Sequence, residues 1–236
     1  ALLFALNSEV PVVADPDRSR GVRFLEQKFA PDVILSDDGL QHHALARDIE
    51  IVVVDGSRGF GNGRLLPAGP LREGLERLLE FDHVVINGEQ GLLLPEGAAA
   101  PSHMQIQPGQ LVNLATGESL TCPEWLQRYA SGSTQVHALA GIGNPGRFFA
   151  TLRNEGFAII AHPFPDHHRF TAADIYFADS LPVLMTEKDA VKCLPWADAR
   201  HWCLKVDAVL PDAFLQALLA QLQTLRASRA TQGLHP

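Results

Sequence analysis

Short runs of β-branched residues alternate with stretches of helical period along most of this chain. Asp32-Val33-Ile34-Leu35 reads as a buried strand that ends in Ser36-Asp37-Asp38-Gly39. Ile49 to Val54 (IEIVVV) and Val84-Val85-Ile86 repeat the pattern, closing on Asp55-Gly56 and Asn87-Gly88. Continuous Val/Ile runs predict strands covered on both faces, as in a parallel sheet. Ligands of such sheets bind beyond the carboxyl ends of the strands, where Asp37, Asp38, Asp55 and Asn87 fall. Val12–Ala14 is a shorter apolar run, and Gly21–Ala30 has helical periodicity.

The second half repeats the strand–loop–helix plan. Residues 91–103 are Pro-, Gly- and Ala-rich and mark a boundary. Met104–Val112 and Asn113–Leu120, with a Thr116-Gly117 turn, read as a pair of extended segments. Val136–Ala140 is strand-like and runs through Gly141–Gly146 into a helix from Arg147. Phe157–Ala161, Val183–Met185 and Trp202–Val206 supply further strands. Leu210–Leu225 reads as a terminal amphipathic helix, with residues 226–236 frayed. The predicted organisation is a first α/β lobe over 1–103, a linker over 104–122 and a second α/β lobe over 123–236.

Composition narrows the class. Of 236 residues, 46% are hydrophobic and 19% charged, as in a folded globular protein. A net charge of −8 argues against a nucleic-acid partner, which needs a basic stripe. Cys122, Cys193 and Cys203 match no zinc or CxxC spacing and fit reduced thiols in a cytoplasmic compartment. No apolar run approaches the ~20 residues that span a bilayer, and the opening stretch lacks the basic region of a signal peptide.

Several clusters carry chemistry. Asp37-Asp38 fits either an Mg²⁺-holding acidic pair, the two carboxylates taking different roles, or a polar turn with a positive φ at Gly39. Gln41, His42 and His43 add donors beside it. Arg58–Glu73 (RGFGNGRLLPAGPLRE) is a Gly/Pro-rich loop whose Arg72 is suited to a phosphate, or else a surface loop with a solvated Arg-Glu pair. Gly141–Gly146 offers an anion-binding helix start or simply a tight turn capped by Asn144. His162 through His168 (HPFPDHH) reads as acid–base chemistry, a histidine oriented by a carboxylate, or as a polar loop. Lys188, in Thr186-Glu187-Lys188-Asp189, contacts phosphate or pairs with its acidic neighbours. No G-x-x-x-x-G-K-[ST] motif occurs.

Together, DVILSDDGLQHHALARDIEIVVVDG (32–56), GFGNGRLLPAGPLRE (59–73), VHALAGIGNPGRFF (136–149), FPDHH (164–168) and LMTEKDAVK (184–192) resemble the tetraacyldisaccharide 4′-kinase (lipid A 4′-kinase) family. The resemblance implies two α/β/α lobes with mostly parallel sheets joined by a two-stranded linker, P-loop NTPase-like in its first, truncated lobe. It implies ATP, Mg²⁺ and phosphoryl transfer to the 4′-hydroxyl of a tetraacyldisaccharide 1-phosphate, by a cytoplasmic enzyme peripheral at the inner membrane. Carried over residue by residue, Asp37 and Asp38 match the acidic, metal-holding pair, with Asp38 also catalytic. Arg18, Gln41, His42 and Arg72 match phosphate- or substrate-binding positions. His167 is the expected catalytic histidine and His168 the alternative. The family's membrane-associating helix, P-loop and GDEP-like segment find no counterpart, so this chain alone is expected neither to bind ATP tightly nor to turn over. Two other readings stay open: a metal-dependent hydrolase or phosphatase using Asp37, Asp38, His42, His162, His167 and His168, and a non-catalytic α/β module.

Overall fold

The computed structural model describes residues 2–88, 91–130 and 132–231. In chain order the elements are α1 (Leu2–Asn7), α2 (Arg18–Phe29), β1 (Ile51–Asp55), β2 (His83–Asn87), β3 (Ser102–Asn113), β4 (Ser119–Thr121), α3 (Cys122–Tyr129), β5 (Gln135–Ala140), α4 (Pro145–Asn154), β6 (Ala158–Pro163), α5 (Ala172–Ile175), β7 (Val183–Thr186), α6 (Glu187–Cys193), β8 (His201–Val209) and α7 (Asp212–Thr231). They form two compact units, each assembled from two pieces of chain. The first joins residues 10–106 with 208–236, the second residues 1–9 with 107–207.

In the first unit, β1 pairs in parallel with β2, Val52 opposite Val84 and Val54 opposite Ile86. The start of β3 continues the parallel order, Val85 opposite Ser102. Val84, Val85 and Ile86 are all buried, as their continuous run predicts. The expectation of two covered faces fails for β1: Val54 is buried while Val53 is 58% exposed. The covered face packs Val54, Val84 and Ile86 against Phe60, Leu92, Leu94 and Ala99, so part of the Pro/Gly/Ala-rich stretch is core wall. The ring of Phe214 on α7 meets His83 edge to face at 5.3 Å. α7 runs on to Thr231, into the stretch expected to fray, with Arg229 held 2.6 Å from Asp48; the rest of that stretch, 232–236, lies outside the described residues.

The predicted strand at 32–35 does not form. Val33 is 49% and Leu35 91% exposed, and among the described residues no strand pairs with this segment. An extended segment without a ladder leaves its backbone groups to water and keeps no regular pleat. Asp37 and Asp38 therefore occupy a turn, not a strand end.

The second unit is a sheet in the order β3-β8-β7-β5-β6, with β4 antiparallel on β3. The β5–β6, β5–β7 and β7–β8 pairs are parallel. The predicted pair of extended segments is thus present, with Leu111 opposite Leu120. One face packs Trp125, Phe148, Phe149, Leu152 and Phe157 around Val136 and Leu184, the other Phe170, Ile175 and Ala190 around Leu139 and Met185. The three cysteines are free thiols, all buried. Burial pushes Cys122 and Cys193 up to about 12 and Cys203 up to about 11, so none is a ready thiolate. Among the described residues no helix is long and apolar enough to cross a membrane.

Candidate active site

Six of the eight predicted site residues lie in the first unit, around a set of tight turns. His42 N–H donates to Gly39 O at 3.0 Å and Leu45 N–H to His42 O at 2.9 Å. The left-handed residue is Asp38, φ 48°, and not Gly39 as the turn reading expects. Gly39 is constrained differently, since a Cβ there would lie 2.5 Å from Ser36 Oγ and 3.1 Å from its Cβ. A left-handed aspartate costs about 1–2 kcal/mol unless its surroundings fix it.

Arg72 does the fixing. Its Nη1 lies 3.2 and 3.4 Å from the two Asp38 carboxylate oxygens and 3.1 Å from Gln41 Oε1. The loop that delivers it is tied to itself: Leu66 N–H donates to Leu71 O, Leu71 N–H to Arg64 O, and Asn62 Nδ2 to Ala68 O. Gly69 is required there, because a Cβ would sit 2.3 Å from Arg64 O. Arg18 Nη2 donates to Asp37 O at 3.4 Å. Arg18, Gln41 and His42 help to line a shallow cleft of about 300 Å³. Arg18, Asp37, Asp38, Gln41, His42 and Arg72 thus share one neighbourhood, Gln41 joining the Arg72–Asp38 pair to the cleft and Arg18 meeting Asp37 through its backbone carbonyl. Such a set can grip a phosphate and hold a cation against it.

The sequence reading missed the residues next to this array. Arg47 Nη1 donates to Gly39 O, Leu40 O and His42 O at 2.9, 3.2 and 3.4 Å, and its Nε pairs with Glu50 at 2.6 Å. Glu50 also pairs with Arg77, which reaches Glu73 and Glu80. Burial alone would lower Arg77, but the Glu50, Glu80 and Glu73 carboxylates outweigh it and hold the guanidinium above its ordinary value. The Arg47/Glu50 spacing of i, i+3 was the available signal.

His167 and His168 lie in the second unit, on the loop after β6. His167 is left-handed, φ 61°, with its backbone N–H on Asp166 Oδ1 at 3.0 Å. Its side chain is 79% exposed, Nε2 being 3.7 Å from Asp166 Oδ2. Lys188 Nζ bonds Asp166 at 3.1 Å and, through that bond first, holds the carboxyl below its usual range. Lys188, on α6, thus pairs with a carboxylate of the loop after β6 rather than with its sequence neighbours. His168 is packed between Phe164 and Phe170, ring centroids 4.7 and 4.8 Å away, with Nε2 3.4 Å from Asp174. His167 is presented and His168 is built in.

His162 stands apart from both: its Nε2 meets His137 Nδ1 at 2.9 Å, and it tilts over Phe177 at 4.4 Å. The three histidines of this segment thus have separate surroundings, and among the described residues no three His, Cys, Asp or Glu side chains are placed to share a metal. The glycine turn at Gly141 is a structural anchor, its N–H donating to buried Asp189 at 2.8 Å. Asn144 caps α4 by accepting from Arg147 N–H, with Pro145 in its first turn. Of the two readings of that turn, these contacts favour the capped one.

Comparison with known proteins identifies the family. The family described as LpxK, tetraacyldisaccharide-1-P 4′-kinase, matches residues 1–223. The chain is 47% identical over 218 residues to the tetraacyldisaccharide 4′-kinase of Alcanivorax borkumensis, covering 92% of this chain and 63% of that protein. It is 48% identical over 226 residues to its namesake in Pseudomonas aeruginosa strain LESB58, covering 96% and 65%. The chain thus spans somewhat under two thirds of the length of these relatives. A solved structure described as LpxK from Aquifex aeolicus in complex with ATP superposes with a TM-score of 0.66 at 26% identity, covering 89% of this chain and 63% of that one. With mostly parallel strands in both units and the acidic turn facing its arginine, this chain belongs to the tetraacyldisaccharide 4′-kinase family.

Proposed function

We propose that the full-length protein transfers the γ-phosphoryl group of ATP to the 4′-hydroxyl of a tetraacyldisaccharide 1-phosphate. The observation that carries the reading is the Asp38–Arg72–Gln41 array beside the Arg18/His42 cleft, in a chain whose relatives bear that activity in their names. Phosphoryl transfer depends on positioning and charge neutralisation more than on covalent chemistry. Arg72 uses only Nη1 on Asp38 and Gln41, so its remaining N–H groups suit a phosphate oxygen. His167 is the proposed proton acceptor, exposed and next to a carboxylate.

The donor set also fits Mg²⁺. That ion takes one or two carboxylates plus substrate phosphates rather than a cage of protein ligands, and Asp37 and Asp38 supply two adjacent carboxylates. When bound, Mg²⁺ would neutralise charge developing on the transferred group. Asp37 would be its principal holder, because Asp38 is already engaged by Arg72. Against the metal-dependent hydrolase reading stands the absence, among the described residues, of any group of three His, Cys, Asp or Glu placed to hold a metal.

We further propose action at the cytoplasmic surface of the inner membrane, where a nucleotide and a tetraacylated lipid meet, with no nucleic-acid partner; the net charge of −8 supports the latter. The test is steady-state transfer to lipid by the full-length enzyme carrying Asp38→Asn or Arg72→Met. A loss of about 10²–10³ in kcat is expected for each, at unchanged folding. Full activity in both variants would refute this assignment of the site, and an inactive wild-type enzyme would favour the non-catalytic module.

A further inference from the structure

We infer that Arg47, Glu50 and Arg77 form a positioning network that presets the Asp38 turn and the Arg72 loop. The inference rests on the phosphate-site reading above.

Arg47 acts on the turns directly. Gly39 O and His42 O already accept the N–H groups of His42 and Leu45, and Arg47 Nη1 supplies each with a second donor. One guanidinium therefore fixes both turns between Asp38 and Leu45. Its Nε is held in turn by Glu50 Oε1 at 2.6 Å. A planar fork serves carbonyls and a carboxylate at once; a lysine ammonium, a single point charge on a flexible stem, does not.

The other branch leads to Arg72. Glu50 accepts from Arg77 Nη2 at 3.2 and 3.3 Å, and Arg77 Nε donates to Glu73 Oε2 at 3.2 Å. Glu73 Oε1 accepts from Gln41 Nε2 at 3.2 Å, while Gln41 Oε1 accepts from Arg72 Nη1 at 3.1 Å. Arg72 then meets Asp38, and the circuit returns to the turn from which it began. Arg77 is steadied over the ring of buried Phe81, 4.8 Å from its centroid.

Burial and charge indicate what the network does. The side chains of Arg47, Glu50 and Arg77 are only 14% to 19% exposed, whereas Asp38 and Arg72 are 70% and 60% exposed. The functional pair is open to solvent, and the more buried ions behind it are held by several partners each. Arg47 and Arg77 are offset by the three carboxylates they pair with, Glu50, Glu73 and Glu80, so the network adds no positive charge to grip a phosphate. Its effect on the phosphate site is through geometry, and a displacement of about 1 Å at a reacting group costs up to about a hundredfold in rate.

The test uses the full-length protein with Arg47→Met, Arg47→Lys and Glu50→Gln. Hydrogen exchange at the His42 and Leu45 amides should rise about tenfold or more while the β2 amides stay protected. In turnover, kcat should fall about a hundredfold with little change in KM for ATP, the mark of lost transition-state geometry. Arg47→Lys should not rescue it. In an Asp38→Asn background, Arg47→Met should add almost nothing, because both act through one turn. Unchanged exchange at His42 and Leu45, or a fully multiplicative loss in the double variant, overturns the inference. Should Arg47→Met fail to fold by circular dichroism, the isosteric Glu50→Gln carries the same readouts. If Asp38→Asn alone keeps full activity, the phosphate-site reading fails and the exchange result alone decides this inference.

Discussion

His167 and His168 are neighbours in sequence with opposite situations. His167 faces solvent in a left-handed backbone, touching only Asp166 through its ring, whereas His168 is wedged among Phe164, Phe170 and Asp174. Removing an exposed side chain with one weak partner changes stability by no more than about 0.5 kcal/mol. Removing one that stacks on two rings and bonds a capping carboxylate costs about 1–2 kcal/mol. His167→Gln is therefore expected to leave the urea midpoint unchanged while abolishing most transfer in the full-length enzyme, and His168→Gln to lower the midpoint. The reverse pattern would exchange their roles. A sequence alone shows two adjacent imidazoles; only the φ of 61° and the flanking rings tell them apart.

At the scale of elements, the junction of β7 and α6 is tied down by a buried carboxylate. Asp189 is 0% exposed, yet it accepts from Gly141 N–H at 2.8 Å, Thr186 Oγ1 at 2.7 Å and Lys192 Nζ at 3.1 Å. Its loss would strand a buried N–H and a lysine together, so Asp189→Ala should cost about 3 kcal/mol in chemical denaturation. A cost under about 1 kcal/mol would mean that water replaces the carboxylate. Element identity was legible wherever an apolar run found a partner. Val52–Val54 and Val84–Ile86 became strands because each completes the other's ladder. Val33–Leu35 has the same composition and stays irregular, since pairing is a property of two segments and only one is written at 32–35. Arg72, Asp38 and Gln41 could be nominated from sequence as phosphate ligands. That Arg77 stands behind them depends on side-chain reach between residues 27 to 32 positions apart, as in the Glu50–Arg77 and Gln41–Glu73 contacts, which no local pattern encodes.

For the molecule as a whole, acid is the informative perturbation. Burial, then the neighbouring His137, holds the His162 imidazole below its ordinary value. The unfolded chain thus binds a proton there more readily than the folded one, and stability rises with pH across the gap. The contribution is complete above about 6.5 and is lost as pH falls from there through the folded value. Asp179, lowered first by its bond from His137, and Asp174, lowered first by the Thr171 hydroxyl, follow the same sign at lower pH. Their contributions persist above the ordinary carboxylate range of about 4 and disappear beneath their folded values. Urea midpoints are expected to drop in two stages, between pH 7 and 5 and again below about pH 4, with His162→Gln removing the first. A flat profile from pH 8 to 5 would contradict the assignment.

Each compact unit takes its residues from two separated parts of the chain, 10–106 with 208–236 and 1–9 with 107–207. The polypeptide consequently passes from one to the other three times, near Glu9, Ile106 and Asp207. No single cut yields either unit as one continuous polypeptide, so a gene fragment ending at any of those points would release an incomplete body with a bare apolar flank. Dissecting this protein by subcloning will therefore call for splicing the two segments of a unit together through a linker. Recombination, likewise, exchanges a unit only when both of its segments move together.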